Sequence, residues 1–366
     1  MDRIFNGYKI RYELLNHDFL PMRASKKIQQ INIFINLDDF YHRLHKPYTD
    51  QEFQTTGQNV SRQLMANLLN LVGHYKNWAV KEHMQPIIFL VYTTARVFKN
   101  AMRIQNYRDY YRQITDNMNP NFYHVNAAIV GGYSILQVMT KYIPGVYAID
   151  TNYLEPSIVP YYLSTKFQVD YNLLVSRDEY DLQYVAFPNW AVISPKGDNS
   201  RFIIKSNLWA HVEKREELTQ AAQLHPEVFL WAKTILGDKY RSIPKLTRTG
   251  WKTVLKYLQE VQAFETTDEV RDVQLHRLLQ YVESRKIENT SFETNLYCTS
   301  VQQQVNALLD TDKAMLHHQL TDLEDLQALY QVNGTIFKEF PINLNFLLRS
   351  APQVGSVPHD DYFWRK

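Results

Sequence analysis

One cysteine, Cys298, stands among 366 residues, so the chain can form no intrachain disulfide, and this thiol usage suits a reducing cytoplasm or nucleus. Apolar runs approaching the ~18 residues of a bilayer-crossing helix are absent as well, which excludes a helical membrane span. The opening MDRIFNGYKIRYELL carries charges and no continuous apolar core, so a secretory leader is not expected and the cytoplasm is, the host's if the chain is viral. Net charge is nearly absent too: 40 Lys and Arg against 38 Asp and Glu leave +2, so any nucleic-acid surface must be a local patch. No internal repeat and no low-complexity tract is present.

What is there is an apolar content of 45%, enough for one large core with a smaller appended unit. The 25 tyrosines supply ring faces for stacking or interfaces, and an Asn- and Tyr-rich composition fits a phage or other viral protein. Ile31 to Asn36 and Pro86 to Tyr92 are continuous apolar runs of strand length, as expected of strands buried on both faces. Further strands are expected at Val146 to Asp150 and Leu173 to Ser176, and a β-hairpin at Ala191 to Ser194 and Phe202 to Ile204 around the turn PKGDNSR. Between the first two, Val60, Leu64, Leu68, Leu71 and Val72 recur at helical spacing and predict a helix from Asn59 to Ala79. Pro226 fits the start of a helix that Gly237 ends. Alternating strands and helices predict an α/β fold: a mostly parallel central sheet flanked by helices, then a helical hairpin region and C-terminal helices.

The segment from Gly237 to Leu258, GDKYRSIPKLTRTGWKTVLKYL, carries the most chemistry. A short turn aims backbone N–H groups outward, and a helix then begins at Gly250-Trp251-Lys252-Thr253 with its positive dipole end facing the same place, an arrangement that holds a phosphate without reading sequence. The plain alternative is a Gly-terminated turn before an amphipathic helix built on Val254, Leu255 and Leu258.

This segment resembles the DNA-gripping hairpin of the flap-endonuclease and 5′-exonuclease family, whose pattern G-D-x-S-D-N-I-P, then a Gly-rich turn and G-x-K-T, is met at Gly237, Asp238, Ile243, Pro244, Gly250, Lys252 and Thr253. Upstream, INLDDFYHR after Asn32, the strand PIIFLVY with Phe98-Lys99 and Tyr107-Arg108 after it, and NLLVSRDEYDLQYV from Asn172 resemble further family landmarks in the same order. The resemblance covers roughly residues 30 to 260. It implies a nuclease-like core over residues 1–205, a DNA-binding hairpin region over 206–265, a helical region over 266–350 and a tail over 351–366.

The resemblance also implies two divalent metal ions held by carboxylates, and most of the acids are missing. Asn36 stands where the first strand's Asp belongs, and Tyr92 where the second strand's does. The E-A-D-D signature falls on Leu154-Glu155-Pro156-Ser157; Asp178 survives with Tyr180 for a partner, and Asp238 with Arg241. Hard cations need oxygen ligands and an in-line displacement needs two of them clamped together, so the expected site (Asn36, Tyr92, Asp178, Asp238) is degenerate and no cofactor is expected. Mg²⁺ or Mn²⁺ enters only if acids nearby, such as Asp38, Asp39, Asp150, Glu179 or Asp181, rebuild it. For Asp178 and Asp238 the alternative role is a helix N-cap or a partner for Arg177 or Arg241.

In the family the region after the second strand leads to an arch that passes a single-stranded end, and here FKNAMRIQNYRDYYR interleaves Lys99, Arg103, Arg108 and Arg112 with Tyr107, Tyr110 and Tyr111. The alternative is a solvated helix face with Tyr110 and Tyr111 in the core. With Lys245, Arg248, Gly250, Lys252 and Thr253, these cations make the expected DNA contacts, to backbone rather than bases. Arg248 replaces a family glycine, which loosens the backbone's approach to phosphate. The end, APQVGSVPHDDYFWRK, holds three aromatics on an irregular segment and reads as a docking peptide for a protein partner or as a tail folded on its own core. Three classes follow: an inactive nuclease-fold DNA-binding protein, an active metal-dependent 5′-nuclease, or an interaction scaffold.

Overall fold

The computed structural model describes residues 29–37, 68–69, 71–80, 82–92, 136, 140, 143, 145–152, 154–194, 201–213, 226–238, 243–246, 250–260, 277, 280 and 292–320. Six strands form one sheet: β1 (Gln29–Asn36), β2 (Met84–Tyr92), β3 (Val146–Asp150), β4 (Tyr171–Val175), β5 (Trp190–Ser194) and β6 (Arg201–Ile203), in the spatial order β3-β2-β1-β4-β5-β6. The first five run parallel and only β6 is antiparallel, closing the expected hairpin with β5. The fourth strand lies earlier than its apolar pattern suggests: Tyr171 and Asn172 pair with Ile31 and Asn32, and the strand ends at Val175, although Ser176 N still donates to Ile193 O at 3.0 Å.

The apolar runs reflect burial on both faces. Phe34, Phe89, Val91, Leu174 and Val192 point into one core, and Ile33, Ile35, Ile88, Leu90 and Val175 into the other. Each such side chain contributes about 1.5–3 kcal/mol on leaving water. The second core is closed by helix α1 (71–80), where Leu71, Val72, Tyr75, Trp78 and Ala79 repeat at the spacing of one helical face. The first core is larger and reaches far along the chain: helices α2 (Val159–Lys166), α3 (Leu208–Glu213), α4 (Val228–Leu236), α5 (Trp251–Glu260), α6 (Phe292–Thr299), α7 (Val301–Asn306) and α8 (Asp310–His318) follow, and most add residues to it. Phe34 and Leu320 thus belong to one cluster, so the helices after residue 290 are packed on the sheet's own core.

Polar pairs set register where apolar packing alone would allow slippage. Asn32, fully buried in β1, donates to Asn172 Oδ1 at 3.1 Å and to Phe167 O at 3.2 Å, pinning β1 to β4. At the edge strand β3, Gln319 accepts from Asp150 N at 2.7 Å and donates to Asp150 O at 2.9 Å, so a side-chain amide imitates the next strand. Among the described residues no helix is long and apolar enough to cross a membrane. The expected arch residues Lys99, Arg103, Arg108 and Arg112, with Asp38, Asp39, Arg241, Arg248 and the aromatic tail, lie outside the described residues.

Candidate functional site at the strand ends and hairpin

The chain enters the sheet at its centre, builds outward through β2 and β3, and crosses back to β4 on the other side of β1. Such a reversal opens a crevice at the carboxyl ends of the strands on either side of it. Asn36 ends β1 there, opposite Val91, while Tyr92 pairs with Asp150 one position further on. Alternation sets Asn36 on the face of Phe34, and Tyr92 packs against the opposite core with Ile88 and Leu90. The two expected positions therefore sit at adjacent strand ends with their side chains on opposite faces. Burial, with the Asp150 carboxylate nearby, pushes the Tyr92 hydroxyl well above its usual range and keeps it a neutral phenol.

Beyond β4, Asp178 caps a 3-10 helix, Glu179–Ala186, accepting from Tyr180 N at 2.9 Å, while its own N–H donates to Ser176 Oγ at 3.1 Å. N-capping is the alternative role that the sequence offers for this acid, and the geometry realises it. Tyr180, which the resemblance sets where an acid was expected, is 1% exposed and points into the core. Its hydroxyl accepts from Gln304 Nε2 at 2.8 Å and donates to Cys298 O at 3.3 Å. Gln183 extends the same network, donating to Thr299 O at 2.9 Å and accepting from Val301 N at 3.0 Å. The turn that follows β4 is thereby tied to helices more than a hundred residues later in sequence.

Two further acids are buried nearby. Glu155, just after β3, and Asp181 both act on Tyr184, whose hydroxyl is driven well above its usual range by burial first, then by Asp181, with Glu155 the smallest cause. The Tyr184 hydroxyl donates to Ser157 O and accepts from Tyr161 N at 2.9 Å.

Backbone contacts close the described part of the hairpin segment. Gly237 caps α4 at φ 65°, and a Cβ there would collide with Ile243 O and stand 2.7 Å from the Pro244 carbonyl. Asp238 and Ile243 exchange both N–H···O bonds at 2.9 Å, and Leu246 N donates to Ile235 O at 3.0 Å. From below, fully buried Asn295 donates to Pro244 O at 2.7 Å and to Thr234 O at 3.0 Å. Trp251 stacks on Phe229 with centroids 6.0 Å apart, fixing where α5 begins; Thr253 N and Val254 N each donate to Gly250 O at 3.1 Å. Lys245, Gly250, Lys252 and Lys256 are exposed, and Thr253 is half-buried. Lys256, one turn after Lys252, is a cation outside the expected set, although its i+4 spacing is visible in the sequence.

Asp238 is 7% exposed and lies 3.9 Å from the ammonium of Lys233, which also bonds Glu179 at 3.1 Å. Set against a pair of divalent ions, the described residues do not fit. Asn36 is an amide, Tyr92 a neutral phenol on the other face, Tyr180 is committed to the core, and Asp238 has a cation beside it. Among the described residues no group of three or more His, Cys, Asp or Glu is placed to hold a metal ion.

Comparison with known proteins places the fold. No protein-family model matches the chain, and no curated protein matches it. Solved structures do: the T5 D15 protein co-crystallised with metal ions aligns with TM-score 0.50 and 11% identity over 81% of this chain and 99% of its own. A pseudo-enzyme-product complex of the bacteriophage T5 D15 flap endonuclease with DNA and metal ions (TM-score 0.50, 10% identity) and the T5 5′-exonuclease with zinc (TM-score 0.50, 10% identity) each align over the same shares. The chain therefore has the α/β fold of these nucleases, a mostly parallel sheet flanked by helices.

Proposed function

We propose that this chain is a catalytically inactive DNA-binding protein built on the 5′-nuclease fold. The observation that carries the reading is a contrast within one fold: a closed, glycine-dependent hairpin with exposed Lys245, Lys252 and Lys256, and strand ends that carry an amide at Asn36 and a phenol at Tyr92, with the ammonium of Lys233 beside Asp238. The hairpin and the start of α5 grip phosphates through amides and lysines, joined by Arg248 and by Lys99, Arg103, Arg108 and Arg112 at the arch. Branched DNA and single-stranded ends are the ligands. Support comes from the fold shared with a T5 flap endonuclease crystallised with DNA. An accessory role in viral DNA replication or transcription agrees with the phage origin of that neighbour and with the composition. The aromatic tail over residues 351–366 docks a protein partner.

The second reading, an active metal-dependent 5′-nuclease, is favoured by one observation, the buried acids Glu155 and Asp181 around Tyr184. DNA binding itself is tested by a salt titration of anisotropy on flap DNA with the full chain and a Lys252→Glu, Arg248→Glu double variant. The expected outcome is a uniform loss of affinity across sequences and a salt slope shallower by about 2. Unchanged binding in the variant, or none by the parent at low salt, leaves a pure interaction scaffold.

A further inference from the structure

Lys233 sits in the interior of α4 among Phe229, Trp231, Ala232, Ile235 and Leu236, all buried, and is itself 7% exposed. A lysine so placed is expensive to desolvate unless its charge is met. It is met twice, by Glu179 Oε2 at 3.1 Å and by Asp238 Oδ2 at 3.9 Å. The three groups come from three segments: the helix interior, the first turn of the 3-10 helix after β4, and the first residue of the hairpin bridge. Lys233 also holds the hairpin base through its backbone, since Lys233 O accepts from Gly237 N at 2.9 Å.

We propose that Lys233 is a built-in cation that clasps the hairpin base to the turn after β4 and makes that junction independent of divalent metal. An ammonium has one charge and three donors, so here it bonds Glu179 Oε2 at 3.1 Å and sits within ion-pair range of Asp238 Oδ2 at 3.9 Å. While it stands there, a second cation between the same carboxylates meets direct repulsion at short range. Removing it takes away the cation that Glu179 and Asp238 share, and a hard cation that binds carboxylate oxygens is expected to take its place.

The test is thermal melting of the full chain and variants in EDTA, then in Mn²⁺, with NaCl at matched ionic strength as control. The parent is expected to melt at one temperature in all three. Lys233→Met is expected to melt roughly 5 °C or more lower in EDTA and to regain at least about 2 °C with Mn²⁺ but not with NaCl. Lys233→Arg restores most of the loss, and adding Asp238→Asn to Lys233→Met abolishes the Mn²⁺ response. If Lys233→Met does not fold, Asp238→Asn alone decides: it is expected to lower the melting temperature equally in EDTA and Mn²⁺. A parent stabilised by Mn²⁺ with that gain lost in Asp238→Asn overturns the proposal. So does a Lys233→Met variant as stable as the parent and indifferent to Mn²⁺, or an Asp238→Asn variant that melts with the parent.

Discussion

At the hairpin, Gly237 holds a backbone angle only glycine adopts without strain, the Asp238 to Ile243 bridge is closed by two bonds, and lysines face solvent; at the strand ends and in the turn after β4, the positions where the resemblance led us to expect acids hold Asn36, Tyr92 and a buried Tyr180. Both regions belong to one fold and lie along one core, so the difference is chemical rather than architectural. Holding a phosphate backbone asks for oriented amides and a few cations, which the fold supplies as long as its turns survive. Metal-assisted hydrolysis asks for several carboxylates converging on one point, and among the described residues no such group of three or more His, Cys, Asp or Glu is placed to hold a metal ion. One function can outlast the other because their requirements do not overlap.

The largest test of this contrast is Tyr180→Asp, which puts an acid where the sequence resemblance expects one. Because Tyr180 is buried and bonded to Gln304 and Cys298, the change is expected to cost at least about 3 kcal/mol by urea unfolding and to yield no nuclease activity. A stable variant that cleaves DNA would show that the position still belongs to a working site.

On the other side of the contrast, Gly237→Ala forces a Cβ against the Ile243 and Pro244 carbonyls at positive φ, for an expected loss of about 2–4 kcal/mol and a drop in DNA affinity. Full stability in that variant would mean that the hairpin closes another way. Smaller, at about 2 kcal/mol, is Asn295→Ala, which removes the donor to the buried Thr234 O and to the part-buried Pro244 O. Since Asn295 is buried, any loss of DNA affinity it brings must act through hairpin geometry, and a loss of stability with affinity intact would separate the two.

Much of this is legible in the sequence because it is local. The continuous apolar runs of β1 and β2, the turn between β5 and β6, the glycine that ends α4 and the helix opening at Trp251 each follow from the spacing of neighbouring residues. Pro226 is a partial exception: the helix begins at Val228 after a turn at Pro226 and Glu227, a shift of the size local signals leave open. What is not legible depends on partners far along the chain. Tyr180 reads as a missing acid until Gln304 is seen beside it, Asn295 is one polar residue among many until it meets Pro244, and Lys233 looks like an ordinary helix lysine until Glu179 and Asp238 converge on it. The parity of Asn36 and Tyr92 likewise follows from ladder register, which strand composition alone does not set.

The most direct measurement is a single-turnover assay on 5′-flap DNA with excess protein in Mg²⁺ and then Mn²⁺, with anisotropy on the same substrate to establish that it is bound. Saturable binding with no cleaved product in either metal is the expected outcome. Metal-dependent cleavage that disappears in Asp178→Ala or Asp238→Ala would contradict it and make the strand ends a working nuclease site.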